Sequence, residues 1–173
     1  YLKCAKDPAY FMRKYCFIQH PTRGRILFNL YPFQEKALHL FRDNQYIITL
    51  KSRQLGISTL ASAYSLWLMI FHKDKNVLAL ATTQATARNL VTKTMFMYDQ
   101  LPKWIKLPAL EKNKLSLRLK NGSKITAKSS NADAARSEAV SLLLIDEAAF
   151  IDNIDETFTA AQQTLATGGQ CMA

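Results

Sequence analysis

Three short β-prone runs, almost wholly apolar, punctuate the sequence: Tyr46–Leu50, Asn76–Ala81 and Leu142–Ile145. A strand that alternates apolar and polar residues hides one face, whereas a run apolar throughout calls for cover on both. Between these runs lie segments with helical periodicity. Helices are the usual return path from the end of one parallel strand to the start of the next. The sequence therefore predicts an α/β fold with a mainly parallel sheet flanked by helices. One helix is expected over Pro32–Arg42, where Phe33, Ala37, Leu38 and Phe41 recur at helical spacing. Others are expected from the turn at 51–56 through Phe71, over Thr86–Leu101, and over Asp155–Leu165, with Gly168 and Gly169 ending the last.

A second pattern interrupts the alternation. Leu115–Leu119 and Ser123–Ala127 each read as strand and flank Asn121-Gly122, a strong hairpin signal, so a β-hairpin insertion is predicted there. Residues 1–30 read as a basic preamble packed on the core, broken by Pro8 and Pro21, with Arg23-Gly24-Arg25 leading into Ile26-Leu27-Phe28. At 173 residues the chain is long enough for one domain with a substantial core.

Charge narrows the partners. The chain carries 23 Lys+Arg against 13 Asp+Glu, a net +10, which draws polyanions such as nucleic acid or serves solubility alone. Lys103, Lys106, Lys112, Lys114, Lys120, Lys124 and Lys128 form a basic stretch around the hairpin, facing either phosphate or water. Cys4, Cys16 and Cys171 form no closely spaced pair, and His20, His39 and His72 are scattered, so neither a zinc site nor a disulfide framework is suggested. That pattern fits a reducing cytosol. The longest apolar run, Leu60–Phe71, spans about 12 residues, against roughly 20 for a membrane crossing. Trp67 and Trp104 read as packing residues.

In open parallel sheets, ligands gather at the carboxyl ends of strands. After Leu50 comes Lys51-Ser52-Arg53-Gln54-Leu55-Gly56-Ile57-Ser58-Thr59. A phosphate loop of the form G-x-x-x-x-G-K-[ST] uses backbone N–H groups, a lysine and a hydroxyl bound to Mg²⁺. Gly56 and Ser58 fit that form, Lys51 stands in place of the first glycine, and Ile57 occupies the usual lysine position. A polar strand-to-helix turn is also an ordinary connection. Lys51, however, leaves the strand end with a flexible stem long enough to reach back over the same phosphates. After Ile145 come Asp146 and Glu147. Phosphoryl transfer needs one carboxylate for Mg²⁺ and one group to orient or deprotonate water, and adjacent residues at a strand end point to different sides. Such a pair also occurs where a strand runs into a solvated turn. The two motifs together, about 90 residues apart, carry the reading.

Ser52-Arg53-Gln54-Leu55-Gly56 followed by Ile145-Asp146-Glu147-Ala148-Ala149-Phe150 resembles the ATPase domain of tailed-bacteriophage large terminase subunits. The resemblance runs from about Phe17 to Gly169. It takes in Tyr31-Pro32-Phe33-Gln34, the Asn121-Gly122-Ser123 turn, and the segment from Ser129 to Arg136. It implies a RecA-like P-loop NTPase that binds ATP and Mg²⁺ and hydrolyses ATP to drive double-stranded DNA into a capsid. It also implies a portal protein and a small terminase subunit as partners, a homo-oligomeric ring, and action in the host cytoplasm. By position, Gln34 would contact adenine, and Lys51, Ser52, Arg53, Gln54, Leu55, Gly56, Ile57, Ser58 and Thr59 would hold the phosphates. Ser58 and Asp146 would bind Mg²⁺, Arg53 would stabilise transition-state charge, and Glu147 would activate water. Residues 31–173 would form the ATPase domain, truncated before a Ser-Thr-Pro or Thr-Thr-Pro coupling motif and an RNase H-like nuclease domain. Alone, this piece is expected to show little or no ATPase and no endonuclease activity.

Three features depart from the family pattern: Ile57, Ser137 where relatives often have Gly after the arginine, and the coupling motif expected beyond Gly169. Two rival readings remain: a RecA-like helicase, and a nucleotide- or DNA-binding module without catalysis. Thr82-Thr83-Gln84 fits either a helicase-like nucleic-acid contact or a helix cap.

Overall fold

The computed structural model describes residues 1–130, 139–165 and 168–173, with backbone only at 161, 163 and 164. The chain opens with α1 (Leu2–Lys6) and α2 (Pro8–Tyr15). Asp7 starts the second helix: its carboxylate accepts from the Ala9 and Tyr10 N–H groups at 2.9 and 3.0 Å. Pro8 sits in the first turn, where its missing donor is no loss. A small antiparallel ribbon follows, β1 (Phe17–His20) and β2 (Gly24–Leu27). These four elements lie inside the stretch read only as a basic preamble; Asp7-Pro8 is the signal that announces α2. Phe11 and Met12 are fully buried and seat that helix in the main core.

The remaining elements are α3 (Pro32–Asp43), β3 (Tyr46–Ile47), α4 (Ile57–Phe71), β4 (Asn76–Ala81), α5 (Gln84–Asp99), β5 (Ala109–Lys112), β6 (Ser116–Leu119), β7 (Lys124–Ser129), β8 (Leu142–Ile145), a 3₁₀ turn (Ala148–Phe150), α6 (Ile154–Leu165) and β9 (Gln170–Met172). Among the described residues the main sheet has seven strands in the order β3-β9-β8-β4-β7-β6-β5. The run from β3 to β7 is parallel, and β6 and β5 join antiparallel. This is the expected α/β architecture with its hairpin: Leu117 pairs with Ile125 across the turn, and Gly122 adopts φ 85°.

Side chains of β4 and β8 divide between the two faces, as successive residues of a strand must. Val77, Ala79, Ala81, Leu142 and Leu144 join the core under α4 and α5, whereas Leu78, Leu80, Leu143 and Ile145 join the one under α6. The hairpin turn has a second task. Asn121 Nδ2 donates to the Met69 and His72 carbonyls, and Ser123 Oγ to His72, satisfying the C-terminal end of α4.

Two expectations are corrected. Tyr46–Leu50 is not a strand covered on both faces: β3 spans just Tyr46–Ile47, Tyr46 is exposed, and Ile48 is 90% exposed with Leu50 fully open. A run of β-prone residues specifies an extended segment but not what covers its faces. Trp67 is a packing residue, its indole N–H donating to the Cys4 carbonyl at 2.8 Å, but Trp104 is 55% exposed and meets Tyr15 edge-on. The strands β5 and β9 were not foreseen. The first is exposed at every position and the second is only three residues long. All three cysteines are free and buried; burial pushes the Cys171 thiol up to about 11 and raises Cys16 further.

Gly169 lets β9 close against β8. A Cβ there would lie 2.2 Å from the Val140 carbonyl oxygen and 2.7 Å from Leu165 Cδ2. Gly169→Ala is expected to destabilise the protein by about 1–3 kcal/mol, the usual range for overpacking, read as a lower urea midpoint with unchanged slope.

Candidate active site

The loop after β3 reaches α4 through Gly56, whose φ of 71° lies in the left-handed region that favours glycine. Its carbonyl accepts from the Leu60 N–H at 2.9 Å and so begins the helix. The N–H groups of the first turn of α4, together with its dipole, favour an anion at this end.

Between this loop and the end of β8 lies a cavity of about 300 Å³, lined among others by Lys51, Arg53, Ile57, Ser58, Asp146 and Glu147. The Ser58 hydroxyl donates to Asp146 Oδ1 at 3.0 Å, joining residues 88 positions apart. Asp146 is held in turn by its backbone N–H, which donates to the Leu80 carbonyl at 2.9 Å. Glu147 then turns sharply into φ 56°, ψ 41°, a left-handed conformation that costs a non-glycine residue about 1–2 kcal/mol. The Phe150 N–H donates to its carbonyl at 2.9 Å and closes the 3₁₀ turn. Glu147 is exposed at the rim, while Asp146 is half-buried. The two acids thus occupy different environments. The hydroxyl of Ser58 and the carboxylate of Asp146 are hard oxygen donors, the chemistry a Mg²⁺ ion takes alongside water and phosphate oxygens.

Of the other candidate residues, Lys51 and Arg53 are exposed on the loop and face the cavity. Ile57 is 9% exposed, packed in the core as the first residue of α4, and forms part of the cavity wall. Ser52, Gln54 and Leu55 are exposed, Gly56 and Thr59 half-buried, and these five are not among the lining residues. Gln34 is buried at 2% exposure. Its Oε1 accepts from the Tyr31 N–H at 3.1 Å, and its Nε2 donates to the Leu55 carbonyl at 3.0 Å. Tyr31 and Phe33 stack at 5.7 Å beside it and stay exposed. Met172 and Ala173 also line the cavity; so short a strand leaves no periodic signal in the sequence.

Thr83 caps α5, its hydroxyl accepting from the Thr86 N–H at 3.2 Å. The basic stretch is partly neutralised, since Lys106 and Lys112 both pair with Asp99. Arg136 and Ser137 lie at 131–138, outside the described residues. Among the described residues no helix is long and apolar enough to cross a membrane.

Comparison with solved structures finds this fold among phage proteins. The large terminase of bacteriophage HK97 superposes with a TM-score of 0.75 at 17% identity, covering 97% of this chain and 36% of that one. The large terminase ATPase domain of Thermus phage P74-26 gives 0.64 at 19% identity, covering 83% and 63%. A large terminase from a thermophilic bacteriophage, solved in complex with ADP, gives 0.64 at 18%, covering 83% and 38%. The chain therefore spans less than two thirds of each of these proteins, and the likeness establishes the RecA-like terminase ATPase fold. The family model described as "Terminase large subunit, T4likevirus-type, N-terminal" matches residues 48–171, from the strand before the phosphate loop to β9. The chain belongs to the terminase large subunit family of T4-like type, as part of its N-terminal region.

Proposed function

We propose that this chain is the ATP-hydrolysing part of a DNA-packaging motor, working on double-stranded DNA. The observation that carries the reading is the Ser58–Asp146 hydrogen bond, which brings the loop hydroxyl and the first strand-end carboxylate to one point in the cavity. Bound Mg²⁺ would neutralise charge on the β- and γ-phosphates and draw the leaving oxygen's electrons. Ser58 and Asp146 would hold that ion. Lys51 and Arg53 supply positive charge to the phosphates from the exposed side of the loop, and backbone N–H groups at the start of α4 cradle them. Glu147, set to one side by its left-handed turn, orients a water and accepts its proton as the water attacks phosphorus. By family membership the partners are a portal protein, a small terminase subunit and further copies of the subunit in a ring. On this reading residues 31–173 form the ATPase domain, and residues 1–30 pack against it.

The test is phosphate release by the intact subunit with Mg²⁺, with and without double-stranded DNA, beside strand displacement on a forked duplex. Mg²⁺-dependent release stimulated by duplex, without strand displacement, is the expected result. Displacement of the fork would favour a helicase, and no release under any condition would favour a binding module.

A further inference from the structure

The phosphate loop leans on a side chain that never faces the cavity. Gln34 stands at the third position of α3, 2% exposed, and bonds to backbone at both ends of its amide. Its Oε1 accepts from the Tyr31 N–H at 3.1 Å, closing the helix, and its Nε2 donates to the Leu55 carbonyl at 3.0 Å. The same Nε2 lies 2.8 Å from the place a Cβ on Gly56 would take. Gln34 therefore meets the loop at two successive residues, by a hydrogen bond to one and by close packing on the other.

The peptide between those residues explains what the contact does. In a trans peptide the C=O and the following N–H point in opposite directions. Tethering the Leu55 carbonyl towards α3 thus aims the Gly56 N–H away from α3. That N–H has no hydrogen-bond partner among the described residues. A loop donor held in one direction and left unbonded is a group prepared for an anionic oxygen. The left-handed Gly56, φ 71°, is the swivel that would otherwise let the peptide turn over.

We infer that Gln34 is a positioning residue, which acts on the phosphates through the Leu55–Gly56 peptide. The inference rests on the nucleotide-site reading above. It makes a discriminating demand: an effect carried by the loop is felt equally by any ligand with the same polyphosphate, with or without a base.

Binding of ATP, GTP and inorganic tripolyphosphate, each with Mg²⁺, is measured by calorimetry on the wild type, Gln34→Glu and Gln34→Met. Gln34→Glu keeps the acceptor for Tyr31 and sets an oxygen against the Leu55 carbonyl, so α3 stays closed while the loop tether is lost. Kd is expected to rise about tenfold, the scale of one lost hydrogen bond, by the same factor for all three ligands. Gln34→Met keeps the volume and removes both bonds; it serves as the second variant, with the thermal midpoint of each free protein checking the fold. A loss for ATP with tripolyphosphate unchanged would overturn the inference in favour of base reading. Unchanged affinity for all three, with only a lower midpoint, would overturn it in favour of a helix-closing role alone. Failure of the wild type to bind either ATP or tripolyphosphate would instead strike the nucleotide-site reading itself, and the inference with it.

Discussion

Glu147→Gln is expected to lower ATP hydrolysis by the intact subunit by about 10²–10⁴, the range for loss of a general base, while ATP·Mg²⁺ binding is kept. The split follows from where the two acids stand. Asp146 is hydrogen-bonded to Ser58 inside the cavity, so removing it strikes the metal-holding pair. Glu147 makes no such bond to the loop and sits exposed at the rim, turned aside by φ 56°. A glutamine there retains size and hydrogen bonding but cannot take a proton. Asp146→Ala is expected to behave differently, weakening Mg²⁺-dependent binding. Single-turnover hydrolysis and equilibrium binding, measured on both variants, separate the roles. Parental turnover in Glu147→Gln would remove Glu147 from the mechanism.

The same pair of acids marks how far the sequence could be read. Four consecutive apolar residues at Leu142–Ile145 announce a strand buried on both faces, and the structure splits them between the two cores. The pairing of Ser58 with Asp146 was legible only as a combination, because either motif alone is compatible with an ordinary turn. The left-handed turn at Glu147 was not legible at all, since its local sequence carries no glycine or asparagine to mark it. Asn121-Gly122-Ser123 announced the hairpin but not its contact with α4, which depends on where the helix ends in space. Gln34 illustrates the limit most plainly. Its place opening a helix was visible, but its bond to a carbonyl 21 residues away exists only because α3 packs beside the loop. Two strands were the other blind spot: the edge strand β5 is exposed along its whole length and the interior strand β9 has three residues, so neither shows periodic burial.

The second large effect falls on Lys51. With Ile57 packed in the core, the usual lysine position carries no charge, and the cationic side chains lining the cavity from the loop are Lys51 and Arg53. Lys51→Ala is expected to lower DNA-stimulated kcat by about 10²–10³, the scale seen when one preorganised electrostatic group is removed. A lysine presents a compact point charge and an arginine a planar fork, so Lys51→Arg is expected to fall short of the parental rate. Arg53 is the competitor for this role, because it stands two residues further along the same exposed loop. The structure supplies the means to choose between them. Ile57 is both part of the core and part of the cavity wall, so a lysine introduced there would start from the first turn of α4 and emerge beside Ser58. Ile57→Lys in the Lys51→Ala background is therefore expected to restore part of the rate, limited by the apolar packing it disturbs. If Arg53 were the phosphate-neutralising group, Lys51→Ala would turn over almost normally, Arg53→Ala would carry the loss, and the new lysine would rescue nothing. Comparing kcat for Lys51→Ala, Arg53→Ala and the Lys51→Ala/Ile57→Lys double variant decides which cation serves the phosphates.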